Sequence, residues 1–344
     1  MNKSLLPNNL VGEFFGVGSL NEQNHLKPLE YIKRLRVPYV YQLTCYPEED
    51  MIRQIGYLVE GFEEKGEFIL DIDIHTFHSV MREKTTLLLD QKHARSLHLM
   101  TKNESYEYLK TQQTAPASMC YSIRGSDGKQ LVSRSMLHFF ASLTKRIGIG
   151  QYNHLSPYCD SLVLSQDDPA IGFVLEMIER GKTEDLSLTH IAKVTDALFP
   201  PNTIPAYHYC YDWLNLQEGD WYFLWDSKPK LVHIDVLSYP PKLQEEQAEK
   251  INQFLEKGGG LALGVLPNVD DGYHASILDT LEHNLIDTLD IFGESGVNLD
   301  LLRKNVMLST QCGLHSASKN VINEIHESSN EFPKIYESVY NRIV

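Results

Sequence analysis

His208 and Cys210 lie two residues apart in IPAYHYCYDW, at the end of a short apolar run. Side chains alternate in direction along an extended strand, so this pair shares a face and can reach one ion. Two donors hold a metal weakly, so further ligands must come from elsewhere. Asp235, 25 residues beyond Cys210, and Cys312, another 77 on, stand at the ends of two later apolar runs. Histidine, aspartate and two cysteines make a tetrahedral zinc set, because thiolates favour zinc over magnesium or calcium. The competing account is core packing, since a free cysteine often serves as a small buried hydrophobe. Spacing alone leaves both open. A second group, Asp71, Asp73 and His75, also has period two, but the polar face of an exposed edge strand needs no metal.

Such ligands need a scaffold that gathers distant strand ends. Strands are predicted at 13–18, 38–43, 117–122, 161–166, 204–210, 231–237, 261–267 and 306–312. Helical periodicity marks 47–59, 133–147, 170–182, 243–257 and 274–292. Alternating strands and helices imply a parallel sheet. Eight strands predict an α/β chain closed as a (β/α)8 TIM barrel, with an open doubly wound sheet as the alternative. Residues 1–344 are expected to form one barrel domain, with 66–102 inserted on its rim. Barrel chemistry sits at the C-terminal strand ends, where His208, Cys210, Asp235 and Cys312 would stand. Alternation in YHYCY turns Tyr207, Tyr209 and Tyr211 the other way, toward the outer helices. Trp213 is then the aromatic candidate for the pocket.

Composition narrows the partners. A formal charge of −15, spread along the chain, repels nucleic acid. No apolar run approaches the roughly 18 residues of a membrane span, and MNKSLLPNNLVGEFF lacks a signal-peptide core. The five cysteines are odd in number and scattered, which fits a reducing compartment. A cytoplasmic location is expected.

Five short motifs, in order, resemble the catalytic domain of cobalamin-independent methionine synthase and, more closely, its short single-barrel relatives. FGVGSL (Phe15–Leu20) is similar to the family's Ile-Gly-Ser strand, and PYVYQLTCYPEEDMIRQ (Pro38–Gln54) to the relatives' Pro-Gln-Leu segment. SQDDPAIGF (Ser165–Phe173) resembles the Asp-Glu-Pro motif, YHYCYDW the His-x-Cys strand, and STQCGL (Ser309–Leu314) the terminal Cys-Gly-Leu. The resemblance implies zinc held by His208, Cys210 and Cys312, with Asp235 where the synthases carry glutamate. It also implies a small thiol substrate such as homocysteine, bound by the Val17 backbone, Ser19 and Asp167, with Asp168 beside it. Simpler accounts exist for three of these: Ser19 as an N-cap, and Asp167 and Asp168 as caps of a helix starting at Pro169.

The departures concern the methyl donor. Where the synthases carry a substrate-binding glutamate, this chain has Cys45 or Pro47, with Glu48 and Glu49 displaced. Where they carry the histidine that protonates the folate leaving group, GVLPNVDD (Gly264–Asp271) has none, and the next is His274. An amine leaves badly unless protonated, so a methylcorrinoid, or its carrier protein, is the expected donor. Three hypotheses follow: a zinc-dependent thiol methyltransferase, a non-catalytic zinc- or corrinoid-binding barrel, and a uroporphyrinogen decarboxylase-like enzyme. The last needs an arginine cluster near the N-terminus, and Arg34, Arg36 and Arg53 do not make one.

Overall fold

Seven segments pair side by side in parallel: β1 (Phe14–Phe15), β2 (Tyr106–Thr114), β3 (Cys159–Asp167), β4 (Thr203–Tyr209), β5 (Leu231–Ile234), β6 (Gly260–Leu266) and β7 (Val306–Thr310). Their spatial order is β1-β7-β6-β5-β4-β3-β2, a curled sheet with helices packed outside it. The computed structural model describes residues 4–102, 104–183 and 185–343. Residues 1–3, 103, 184 and 344 of the expected domain lie outside these.

The segment 38–43 runs beside β2 and then beside the chain that follows β1. Lys110 N–H donates to Pro38 O and Val40 N–H to Lys110 O, each at 2.8 Å. Further along, Ser19–Leu20 pairs in parallel with Gln42–Leu43. Four sequence-predicted strands, at 161–166, 204–210, 231–237 and 261–267, match β3, β4, β5 and β6, and 306–312 matches β7. Residues 117–122 do not form a strand. They belong to a helix, Pro116–Ser122, because proline at the first helical position supplies the required φ and loses no helical hydrogen bond. The strand of this region is β2, whose inward positions are too polar to read as an apolar run.

The outer helices begin where side chains satisfy the free N–H groups. Ser133 caps Arg134–Leu155, Ser187 caps Leu188–Asp196, Ser276 caps Ile277–Glu294 and Ser318 caps Lys319–Ser328. Inside the curl, Val163, Ala206, Leu231, Ala262 and Met307 pack with Leu6 and Leu10. This apolar plug fills the N-terminal end and leaves the other end for polar groups.

Asp71, Asp73 and His75 do not share a strand face. The strand ends at Leu70, Asp73 caps the helix Ile74–Arg82 through Thr76 N–H, and His75 is already helical. The preceding strands, Phe62–Glu64 and Phe68–Leu70, form a small antiparallel hairpin. No helix among the described residues is long and apolar enough to cross a membrane.

Candidate metal centre

β4 delivers the first two donors. Ala206 and His208 face the interior, whereas Tyr207 and Tyr209 face the helices; the Tyr207 hydroxyl donates to buried Asp168 at 2.8 Å. Cys210 follows the last strand residue, and Cys312 lies two residues past β7. The His208 imidazole and the Cys210 and Cys312 sulfurs offer three donor atoms within 4.8 Å of one another. A neutral nitrogen and two sulfurs, half-sheltered at the strand ends, suit zinc.

The electrostatics fit the same donors. The Cys312 thiol is pushed down to about 4 by a hydrogen bond from Cys210, with His208 adding to it against burial. Cys210 is pushed the other way by that neighbour and by burial. Burial works against a charge on His208, but the neighbouring Cys312 outweighs it and raises its pKa. Cys312 Sγ and His208 Nε2 are 3.7 Å apart.

Asp235 is close by but differently engaged. Its Oδ1 accepts from Leu237 N–H at 3.0 Å and Ser238 N–H at 2.9 Å, and Gln311 Nε2 lies 3.3 Å away. Burial raises its pKa, which these hydrogen bonds partly offset. It therefore stands outside the three-residue group. Trp213 also lies behind the centre: it is buried, and its indole N–H is 3.1 Å from both Asp235 O and Tyr239 O.

Beside the donors opens a cavity of about 420 Å³, lined among others by Val17, Ser19, Asp167, His208, Cys210 and Cys312. Ser19 sits in the bridge to Gln42 and caps no helix. Asp167 ends β3, where its Oδ1 takes the Ser165 hydroxyl at 2.6 Å. Asp168 points away from the cavity; its carboxylate takes Ser118 Oγ at 2.6 Å and the Tyr207 hydroxyl, and burial raises its pKa to about 6. The next helix starts at Ile171, so neither aspartate caps it through its side chain. Glu49 lines the cavity, but its carboxylate already accepts from Leu43 N–H, Arg95 N–H and the Arg95 guanidinium.

Several residues here escape sequence reasoning. His233 on β5 contacts His208, Gln112 on β2 lines the cavity, and Lys110 lies buried beneath it. His315, three residues past Cys312, lines the cavity with its Nδ1 3.4 Å from Ser19 Oγ. Gly313 matters for space rather than for a turn: a Cβ there would lie 1.9 Å from Ser19 Oγ.

No family model matches the chain, and no curated protein matches it. Among solved structures it is similar to a B12-independent methionine synthase from Shewanella sp. W3-18-1 in complex with selenomethionine. The identity is 12%, the TM-score 0.57, and the match covers 97% of this chain and 100% of that one. The chain has the fold of that synthase. A putative vitamin-B12 independent methionine synthase from Listeria monocytogenes matches at 11% identity and a TM-score of 0.43, over 96% of each chain. At 12% identity the likeness to the Shewanella synthase is one of fold alone.

Proposed function

We propose that this protein is a zinc-dependent methyltransferase acting on a small thiol such as homocysteine. The single observation that carries the reading is the convergence of His208, Cys210 and Cys312 at one side of a cavity at the strand ends. We read the curled sheet, with segment 38–43 as its eighth member, as one closed (β/α)8 barrel domain with 66–102 as a rim insertion. Asp235 is the fourth ligand in this reading, after a rotation that exchanges its Leu237 and Ser238 hydrogen bonds for the ion.

A bound zinc ion would supply charge that lowers the pKa of a substrate thiol from about 8.5, so that thiolate exists at neutral pH. The chain's own residues then do the positioning. Asp167 pairs with the substrate ammonium, and Ser19 and the Val17 backbone hold its carboxylate. The thiolate sulfur forms a bond to the methyl carbon as the carbon–donor bond breaks, and that electron pair leaves with the donor. The donor in this reading is an activated one such as a methylcorrinoid, free or on its carrier protein. The five cysteines, all free, suit a reducing cytoplasm.

Metal analysis of the purified protein, followed by a thiol methylation assay with several donors, tests this reading. About one zinc per chain is expected, and Cys312→Ser should release most of it. Zinc bound fully by that variant would remove Cys312 from the centre. Zinc without methyl transfer to any thiol would favour a binding barrel.

A further inference from the structure

One buried ring beside the soft donors has no part in the chemistry above. His233 sits directly across the strand register from His208 and is fully buried. It stacks on Phe15, with ring centroids 5.9 Å apart and planes 24° from parallel. Phe15 is shared with a cation, since Lys110 Nζ lies over its ring, 4.8 Å from the centroid. A second cation at His233 would be disfavoured by this neighbour and by burial.

Hydrogen bonding then decides where each proton is. His233 Nε2 lies 2.9 Å from Thr310 O. A carbonyl oxygen only accepts, so Nε2 carries the hydrogen. A neutral imidazole has one N–H, so His233 Nδ1 presents a lone pair. That lone pair faces His208 Nδ1 at 2.8 Å. His208 Nδ1 must therefore be the donor, and Nε2 is the nitrogen turned toward Cys312. The opposite tautomer would put two lone pairs against each other and aim an N–H at the place where a metal ion would sit.

We propose that His233 is a positioning residue: it accepts the Nδ1 proton of His208 and so holds the Nε2 lone pair ready for the metal. Metal-bound histidines commonly give their other N–H to a carboxylate, carbonyl or water. Here a neutral histidine takes that place, anchored in turn on the backbone of the strand that leads to Cys312. One chain of contacts, Cys312–His208–His233–Thr310, thereby joins two ligands to each other through the core. The metal role rests on the metal-centre reading, but the tautomers belong to the metal-free protein as well.

The full-length protein labelled with ¹⁵N-histidine tests both parts separately. In the metal-free wild type, His208 should show Nδ1–H and His233 Nε2–H, with a scalar coupling between the two Nδ1 atoms. His233→Leu removes the acceptor, and His233→Gln restores one. Competition with a chromophoric chelator should show zinc bound 10- to 100-fold more weakly by His233→Leu, with much of the loss recovered by His233→Gln. The wild-type spectrum stands even where a variant fails to fold. His208 carrying its proton on Nε2 in the wild type would overturn the proposal, as would a folded His233→Leu with wild-type zinc affinity. The expected tautomers in a protein that takes up no zinc would uphold the His233 lock and remove the metal centre itself.

Discussion

The backbone N–H of Asp168 donates to the carbonyl of His208 at 3.0 Å, tying the end of β3 to the strand that carries the first two soft donors. The neighbouring residues on each strand divide the labour: Asp167 faces the cavity, while Asp168 and Tyr207 bond each other behind it. The site therefore has a polar brace on its outer side, and that brace can be tested by itself.

Tyr207→Phe should cost about 1–3 kcal/mol, the cost of leaving a buried acceptor unpaired. The sign with pH follows from Asp168, whose pKa is raised from 3.8 to about 6 by burial. A carboxyl raised in the folded state contributes stability below 3.8 and loses it as pH rises through 6. Above pH 6 the carboxylate is charged and needs the tyrosine more, so the variant should lose more stability at pH 8 than at pH 5. Urea unfolding at both values checks this, and an equal loss would mean that Asp168 does not titrate there.

Lys110 gives a second pH signature. Its ammonium donates to Val17 O and Gln112 Oε1, yet burial lowers its pKa from 10.5 to about 8. A lysine lowered in the folded state carries its full penalty below pH 8 and sheds it as pH rises toward 10.5. The wild type should therefore gain about 3 kcal/mol relative to Lys110→Met across that window. Denaturation of both proteins at several pH values measures the gain, and a constant difference would place the charge in a more polar setting.

A centre that binds a thiol for chemistry should release about one proton per thiol at neutral pH, because free thiols are mostly protonated there. Calorimetry in buffers of different ionisation enthalpy counts it. Asp167→Asn should weaken homocysteine binding while leaving a thiol without an amino group nearly unaffected. Equal effects on the two would put the ammonium elsewhere.

Methyl transfer from methyltetrahydrofolate should run about 10²–10⁴-fold slower than from methylcobalamin, the range credited to a missing general acid. His274, the next histidine after GVLPNVDD, is exposed, whereas His315 lines the cavity beside the candidate metal ligand His208. Comparable initial rates with the two donors would point to His315 as the acid.

The sequence revealed the residues whose chemistry survives alternation. His208 and Cys210 share a face because of parity alone, and Cys312 announces itself at the end of an apolar run. The polar strand β2 escaped because an apolar-run criterion fails where Lys110, Gln112 and Thr114 point inward. At 117–122 the same criterion misled, since a short apolar run suits helix or strand, and Pro116 was the sign that mattered. His233 was hidden by register: spacing reveals which residues share a face on one strand, not which residue lies across from it. Trp213 was placed in the pocket by alternation, but the chain has left the strand by then and turns it onto Trp225 at 6.0 Å.

The contact between the two ends of the described chain has a further meaning. Gly12 N–H donates to Val306 O, Leu308 N–H to Glu13 O and Leu314 N–H to Ser19 O. β1 can therefore pair only after β7 has been synthesised, and the Leu6–Leu10 plug can seat only once Met307 is present. His208 and Cys210 leave the ribosome about 100 residues before Cys312. A growing chain thus carries half of the candidate metal centre while about 100 more residues are added, with its long-range pairing still to come. Tight metal capture is expected as the last step of biogenesis, and a nascent chain stalled before Cys312 should hold zinc no better than an unfolded His-x-Cys peptide.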